Sequence, residues 1–400
     1  MITLILNSFL VVLLFSPFGL LLSNKSKNNL EYYTSQLLYG VIIISFIALL
    51  LNFFFPLKPT LNTMVLLIPL YIIFKNFKLY FNKNFLIFLL LSCTLITLLI
   101  TESNVYRPDA GLYHLPYIKI LNEEKIIFGL SNLHFRYGHI SIIQYLSAIS
   151  NNLIFIENGI VFAQALIASS VIINFCFKIY NYHKNENYNF HFYYLIAVFI
   201  FIIYKMNRYS EYGNDAPAHF LLFFLISEIL ILKENGAKNI CNNFILIAFV
   251  IFNKITLLVC FFLGLIFLTK KNIIKIIKLK RFYFLIFFTF FWLIKNVIIS
   301  GCILYPVKSL CYENFLWSNI EQVEHVSVEN EAWTKGWPDY SKIQNKNIKN
   351  EISIKNYSKN FFWVTYWSKG HLNKITTTLI PYILFLLILI IFIKTYSKIK

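Results

Sequence analysis

The sequence has few charged residues, and few of those are acids. Charged residues make up 14% of the 400 residues, whereas hydrophobic residues make up 58%. A soluble globular domain carries about 25% charged residues. A chain with so little charge cannot cover itself with polar surface, which excludes a soluble domain for most of its length. Lipid must therefore be the solvent for much of the chain.

Positive charge is in excess, with 36 lysines and arginines against 18 acids. A strongly basic chain can bind nucleic acid, but such proteins carry basic runs interleaved with stacking aromatics in a polar domain. No such run occurs here, so no nucleic-acid partner is expected. The informative feature is where the positive charges fall between the apolar runs.

Long apolar runs are abundant and are separated by short polar stretches. They cover about 2–22, 35–55, 61–75, 84–100, 158–177, 190–206, 216–232, 241–269, 282–300 and 377–394. A membrane-spanning helix needs about 20 apolar residues. The pattern predicts an all-α, polytopic membrane protein.

The run 241–269 is too long for one simple span, and Asn253-Lys254 interrupt it. If it forms two short helices that meet near Lys254 at the outer face, every short basic loop falls inside. Those inner loops then hold 18 positive charges, and the outer connections other than 301–376 hold 8. Short cytoplasmic loops carry an excess of Lys and Arg. The charges thus predict about eleven helices in a bacterial inner membrane, with the N-terminus outside and the C-terminus inside.

This topology divides the chain into four segments. Residues 1–100 form a four-helix membrane segment, and 101–300 form a transmembrane core with a large outer loop. Residues 301–376 form an aromatic-rich outer loop, and 377–400 form the last helix and a cytoplasmic tail. Within the first outer loop, the pattern of 139–150 predicts an interfacial helix that lies at the membrane surface or dips into it.

The three aspartates all fall on the predicted outer side: Asp109, Asp215 and Asp339. Each taken alone is as easily a solvated loop charge. Asp109 and Asp215, however, lie at the ends of membrane helices in polar stretches that also hold Arg107, Tyr113, His114, Glu211 and His219. Charged groups at the bilayer edge are costly unless they are paired, hydrated or used. The clustering favours a functional site.

Three cations can supply the positive side of such a site. Lys254 and Lys295 lie within apolar stretches near predicted outer helix ends, and Arg136 lies in the first outer loop. One interpretation is that the lysine side chains only extend to the interface. The other is that these cations bind a phosphate near the membrane surface.

The loop 301–376 holds five of the six tryptophans and two of the six cysteines. The tryptophans, which are Trp317, Trp333, Trp337, Trp363 and Trp367, form either an interfacial aromatic belt or a surface for sugar rings. Cys302 and Cys311 flank a proline turn. Their spacing permits a disulfide, which an outer location favours.

The order of these residues resembles that of GT-C superfamily membrane glycosyltransferases, and most closely a group of bacterial polysaccharide-cluster membrane proteins. The similarity lies in RPDAGLYHLPYI, with Asp109, Tyr113 and His114, and in GLSNLHFRYGHIS. It continues in a helical hairpin with Lys254 at its tip, and in Lys295-Asn296, Gly301 and Tyr305-Pro306. It covers roughly 100–310, although four helices precede the aspartate loop where many relatives have one.

The resemblance implies an inverting transfer of a sugar from a polyprenyl-phosphate donor to a glycan or lipid-linked acceptor. It implies Asp109 and His114 as catalytic residues. Substrate contacts are expected from Arg107, Tyr113, Arg136, Asp215, His219, Lys254 and Lys295. The expected partners are membrane lipid, the polyprenyl-phosphate-linked sugar and the acceptor. No resident metal is assigned, and participation of a divalent cation stays open.

Two other functions fit the same pattern. A transporter or flippase for lipid-linked saccharides would place ionisable residues near the bilayer midplane, often in two related halves. Glu228 is the acidic residue that fits this best. An O-antigen-type polymerase would also carry a large outer loop. A scaffold without catalysis is the third alternative.

Overall fold

The helices follow the predicted apolar runs. The computed structural model describes residues 1–23, 29–102, 109–205, 212–231, 236–336, 357, 359, 361 and 363–399. Within these ranges the chain is helical and forms no β-strand, only two isolated bridges. The described residues pack into two compact units, 1–127 with 139–295 and 128–138 with 296–400. The four-segment division drawn from topology stays a prediction.

The first unit holds fourteen α-helices among its described residues. In chain order they are α1 (Ile2–Phe15), α2 (Leu30–Phe54), α3 (Pro59–Lys75), α4 (Phe77–Tyr80), α5 (Lys83–Glu102), α6 (Leu115–Glu123), α7 (Ile142–Ser150), α8 (Phe162–Lys184), α9 (Phe190–Lys205), α10 (Asp215–Ile231), α11 (Ala237–Asn253), α12 (Phe261–Leu265), α13 (Lys270–Ile277) and α14 (Lys280–Ser300). The last residues of α14, from 296 onward, belong to the second unit.

In the part of the chain that the structure describes, six segments are long and apolar enough to cross a membrane, which supports a polytopic membrane protein. They are Ile2–Leu21, Leu30–Phe54, Lys83–Glu102, Glu157–Lys184, Lys280–Ser300 and Trp363–Ile393. Four shorter apolar helices, Pro59–Lys75, Phe190–Tyr204, Ala237–Asn253 and Ile255–Leu265, join them. Because these are shorter than about 20 residues, length alone does not establish that they span.

Glycine allows α2 to approach the chain that follows α1. A Cβ on Gly40 would stand 2.2 Å from the carbonyl oxygen of Phe15, and one on Gly19 would stand 1.8 Å from that of Gln36. Real side chains never come this close to backbone. Glycine at both positions therefore permits the tight helix contact, as small residues do between membrane helices.

The predicted break in 241–269 occurs at Lys254. Helix α11 ends at Asn253, Lys254 is extended, and a 3-10 helix follows over Ile255–Cys260. A charged residue flanked by Asn in an apolar run gains more from hydration at a helix end than from continuing the helix. The break puts Lys254 at the C-terminal end of α11.

The prediction that 139–150 contains a helix is confirmed, but the prediction that this helix lies at the membrane surface is wrong. The helix exists as α7, but all nine of its residues are buried within the protein. Two asparagines hold it there. Asn62 and Asn122 each donate from Nδ2 to the carbonyls of Leu57 (2.7 Å in both cases) and Ala148 (3.0 and 2.9 Å). An apolar face cannot by itself distinguish lipid from neighbouring helices, which is why the sequence suggested the membrane surface.

The second unit is built on α15 (Ile320–Thr334), with α16 (Trp363–Trp367) and α17 (Asn373–Ile399) further along the chain. Val323 and Val326 of α15 pack on a buried cluster with Cys302 and Tyr305. Burial raises the pKa of the Tyr305 phenol to about 12, so it stays neutral at physiological pH. Trp317 stacks on Phe315 at 4.6 Å and donates to the carbonyl of Val297 at 3.0 Å, so this half-buried tryptophan packs against other residues of the unit.

Candidate functional site

The predicted catalytic segment begins at an exposed aspartate and leads into a π-helical turn. Asp109 precedes the π-helix Ala110–His114, which continues into α6. Its side chain is exposed, whereas His114 is buried. Tyr113 is half-buried, with its ring 4.2 Å from that of His114. Single π-turns occur frequently at functional sites. Arg107 lies outside the described residues.

Gln144 fixes how the proton of His114 is placed. Its Oε1 accepts from the backbone N–H of Ser141 at 3.1 Å, which leaves its amide Nε2 to face His114 Nδ1, also at 3.1 Å. Nε2 of an amide only donates, so Nδ1 accepts. A neutral His114 therefore carries its proton on its own Nε2. A Cβ on Gly213 would lie 3.4 Å from that nitrogen, so the ring lies against the backbone of Gly213.

Asn253 joins three segments at the end of α11. Ser141 Oγ donates to its Oδ1 at 2.6 Å, and Asn214 Nδ2 donates to its backbone carbonyl at 2.9 Å. Ser141 is also the N-cap of α7 and accepts from Ile143 N–H. A carbonyl in the last turn of a helix has no partner within that helix. Asn214 supplies that partner and thereby ties the start of α10 to the end of α11.

Two of the predicted charges meet directly at this junction. Lys254 Nζ lies 2.6 Å from Asp215 Oδ1, and their side chains are 28% and 52% exposed. Asp215 lies in the first turn of α10 and Lys254 directly follows α11, so each charge favours its helix dipole. His219, one turn along α10, is half-buried. A pair this exposed contributes at most about 1 kcal/mol to folding.

Two buried polar atoms at this junction have no hydrogen-bond partner within the described chain. They are Nδ2 of Asn253, a donor, and Oε1 of Gln164, an acceptor. Gln164 donates through its Nε2 to the carbonyl of Gly213. An unpaired buried polar group costs about 1–3 kcal/mol. A ligand with hydroxyl groups would satisfy both a donor and an acceptor, whereas an apolar one would satisfy neither.

The Lys295 side chain contacts the backbone at the residue directly before Ser141. Its side chain is 1% exposed, and Nζ donates to the carbonyl of Ile140 at 3.3 Å. Nζ also lies 3.4 Å from the centroid of the Trp292 ring. No carboxylate of the described chain forms an ion pair with it. A buried lysine amine held only by a carbonyl and an aromatic face retains N–H donor capacity for an anion.

The remaining predicted residues lie in the second unit. Arg136 is exposed, with its guanidinium 5.0 Å from the centroid of the Phe135 ring. Cys302 and Cys311 are joined by a disulfide with an S–S distance of 2.06 Å. Trp333 is exposed, Trp363 and Trp367 are half-buried, and Trp337 and Asp339 lie outside the described residues. Among the residues that the structure describes, no three His, Cys, Asp or Glu side chains are grouped to hold a metal ion.

Sequence reasoning missed the uncharged members of the junction and a second buried cluster. Ser141, Gln144, Gln164 and Asn253 carry no charge, and Asn is common throughout the chain. The spacing Ser141-x-x-Gln144 nonetheless matches the sequence pattern of a capping box. In the second cluster, Lys178 is 3% exposed and lies 2.7 Å from Glu228 and 3.9 Å from Glu31.

Hydroxyl and imidazole groups extend this second cluster. Ser227 lies 3.2 Å from the Lys178 ammonium and 2.9 Å from Nε2 of His191, whose Nδ1 lies 2.8 Å from Tyr182 Oη. The sequence singles out Glu228, whereas Lys178 falls at the end of an apolar run, where it is expected to be a charge of a short inner loop. Its burial could not be read from its position at the end of an apolar run.

The comparisons with known proteins give a family but no activity. No curated protein matches the chain, and no solved structure matches it. A family model matches residues 1–400, the whole chain, and it is described as "Domain of unknown function (DUF8201)". The chain therefore belongs to the DUF8201 family.

Proposed function

We propose that this protein is an integral membrane glycosyltransferase of the GT-C type. It transfers a sugar from a polyprenyl-phosphate donor to a glycan or lipid-linked acceptor at the outer face of a bacterial inner membrane. The carrying observation is the junction of α7, α10 and α11. There, residues far apart in sequence bring a histidine, an ion pair and two unpartnered buried amide atoms to the ends of apolar helices.

The proposed architecture uses eleven spans, with the N-terminus outside. The six long spans, the four shorter apolar helices and the 17-residue α10 make up that number. In this arrangement the junction lies at the outer end of α11. The disulfide between Cys302 and Cys311 supports an outer location for its loop, because disulfides persist in oxidising compartments.

The reaction breaks the bond between the anomeric carbon and the phosphate oxygen. It forms a bond from that carbon to an acceptor oxygen, with inversion. Asp109, which is exposed and therefore accessible, takes the proton of the acceptor hydroxyl. Such a base contributes about 10²–10⁴ in rate. The departing lipid phosphate gains negative charge, and Lys254 and Lys295 stabilise it.

His114 and the amides orient the sugar. With Nδ1 accepting from Gln144, a neutral His114 carries its proton on Nε2. Asn253 Nδ2 offers a donor and Gln164 Oε1 an acceptor. A sugar hydroxyl both donates and accepts, so sugar hydroxyls match the chemistry of these two atoms. No step requires a metal, and a divalent cation bound together with the substrate phosphate would add to the positive charge.

The test measures transfer from radiolabelled polyprenyl-phosphate hexoses in proteoliposomes that contain an extract of the cell-envelope glycan. Asp109→Asn should lower transfer at least about 100-fold. Glu123→Gln is the control, because Glu123 is an exposed carboxylate in the same outer loop, paired with Lys119 at 3.7 Å. Equal activity of Asp109→Asn and the wild type would reject the role of Asp109. No transfer from any donor would reject the transferase.

A second candidate, a transporter of lipid-linked saccharides, is favoured by the Lys178 cluster. Ionisable residues inside a membrane protein often mark ion or proton pathways. In this case, the proteoliposomes should move a fluorescent polyprenyl-diphosphate saccharide between leaflets, and Glu228→Gln should stop that movement. Movement that survives Glu228→Gln would reject this candidate. Elongation of a labelled acceptor by whole repeat units would identify a polymerase.

A further inference from the structure

A strongly basic cavity lies at the opposite end of α11 from the candidate site. Its volume is about 860 Å³, and the four cations in its lining are Lys238, Lys275, Lys278 and Arg281. No acidic residue lines it among the described residues. Like charges repel one another, so an anion that enters the cavity relieves this repulsion.

Arg281 is held in place by two polar partners. Nη1 donates to Asn242 Oδ1 at 3.0 Å, and Nη2 donates to the carbonyl of Ser23 at 3.2 Å. Ser23 also lines the cavity. A guanidinium oriented in this way offers a fixed charge, which suits the recognition of phosphate.

The cavity lies at the ends of two candidate membrane spans. Leu20, in its lining, is at the end of the span Ile2–Leu21, and Arg281 is at the start of the span Lys280–Ser300. Leu20 and Leu279 add apolar surface to the basic lining. An amphiphilic ligand would place its charged end against these cations and its apolar end against the two leucines.

Helix α13 has the residue pattern of a helix that lies at the membrane surface. Ile276 packs into a buried cluster with Ile240 and Cys241. Its neighbours Ile273, Ile274 and Ile277 are exposed, alongside the exposed lysines that line the cavity. A short helix with exposed isoleucines among lysines is typical of segments that lie in the interface and attract anionic lipids.

We propose that this cavity binds the phosphate head group of an anionic lipid. The proposal is independent of the sugar transfer. Helix α11 spans Ala237 to Asn253, so its two ends lie about 24 Å apart at 1.5 Å per residue. The lipid site is at the Ala237 end, and the candidate catalytic junction is at the Asn253 end.

The experiment titrates phosphatidylglycerol against the full-length protein in neutral detergent and counts bound lipids by native mass spectrometry, with phosphatidylcholine as the uncharged reference. The wild type should bind phosphatidylglycerol at least tenfold more tightly than phosphatidylcholine. The variant Lys238→Gln/Lys275→Gln/Lys278→Gln should lose that preference. All three lysines are exposed, so their replacement leaves the buried contacts intact.

The matched control, Lys78→Gln/Lys83→Gln/Lys280→Gln, removes the same charge from three exposed lysines outside the lining. It should retain the preference. Equal loss in both variants would mean non-specific attraction and would overturn the proposal. A further arm adds inorganic phosphate, and binding of that ion with no preference for phosphatidylglycerol would also overturn it. If the triple variant aggregates, the single variants Lys275→Gln and Lys278→Gln must each weaken lipid binding, or the proposal fails.

Discussion

The side-chain amide of Gln144 donates a 3.1 Å hydrogen bond to Nδ1 of His114, while its oxygen accepts from the backbone of Ser141. Because the backbone N–H can only donate, it sets the orientation of the amide, and the amide then sets the tautomer of the imidazole. One capping residue of α7 thus determines which nitrogen of His114 can donate toward the junction.

Gln144→Glu tests this control of the tautomer. Glutamate also completes a capping box, so α7 should form as before. A carboxylate only accepts, however, so Nδ1 of His114 must take up a proton. The ¹⁵N chemical shift of Nδ1 should move from the acceptor to the protonated value, and transfer should fall at least about tenfold because a positioned imidazole is worth more than that. An unchanged shift would disprove the assigned tautomer.

The ion pair between Lys254 and Asp215 can be tested by exchanging its two charges. Lys254→Asp alone or Asp215→Lys alone should abolish transfer. The double exchange restores an ion pair but places each charge against its helix dipole, at a cost of about 0.3–1 kcal/mol each. If Lys254 serves the substrate phosphate, the double variant should fold and remain inactive. Recovery of transfer would show that the pair is only structural.

Thermal unfolding can check the folding of these variants. Cys93, Cys241 and Cys260 are buried free thiols in the first unit, so a thiol-reactive dye reports when that unit opens. The charge exchange should shift the unfolding temperature by only a few degrees. A large shift would mean that lost activity follows from lost structure.

The apolar runs of the sequence located the helices, and two of the charges singled out from the sequence, Asp215 and Lys254, form an ion pair. Apolar runs locate helices because a membrane span needs length and hydropathy, and Lys254 ended α11 because a charge in such a run needs hydration. The sequence did not predict the burial of α7 or of Lys178. Burial of α7 among other helices and the packing of Lys178 against Glu228 depend on tertiary contacts, which no local pattern records.

The disulfide between Cys302 and Cys311 makes a prediction about location. Protein isolated under non-reducing conditions should have four alkylatable thiols after denaturation, and six after reduction. Closing a loop with a sequence separation of nine residues stabilises the fold by about 2.6 kcal/mol in the chain-entropy model. Cys302→Ser/Cys311→Ser should therefore make the second unit more sensitive to protease. Six thiols without reduction would contradict an outer location for this loop.

Replacement of Lys295 should affect the stability of the protein and its activity differently. The Lys295 side chain is 1% exposed and its amine has one carbonyl and one aromatic ring as partners, so burial of this polar group is poorly compensated within the protein. Replacing a buried charge by an apolar side chain of similar volume is often neutral or stabilising. Lys295→Met should therefore unfold at the same temperature as the wild type or a higher one.

The same variant should lose transfer, because the ammonium that stabilises the departing phosphate is gone. Lys295→Arg is the matched control, since it keeps the charge while enlarging the head group. It should retain more activity than Lys295→Met and be less stable than either methionine or lysine. If Lys295→Met is both destabilised and active, the lysine is a structural residue whose bond to Ile140 holds α14, and the anion site must lie elsewhere.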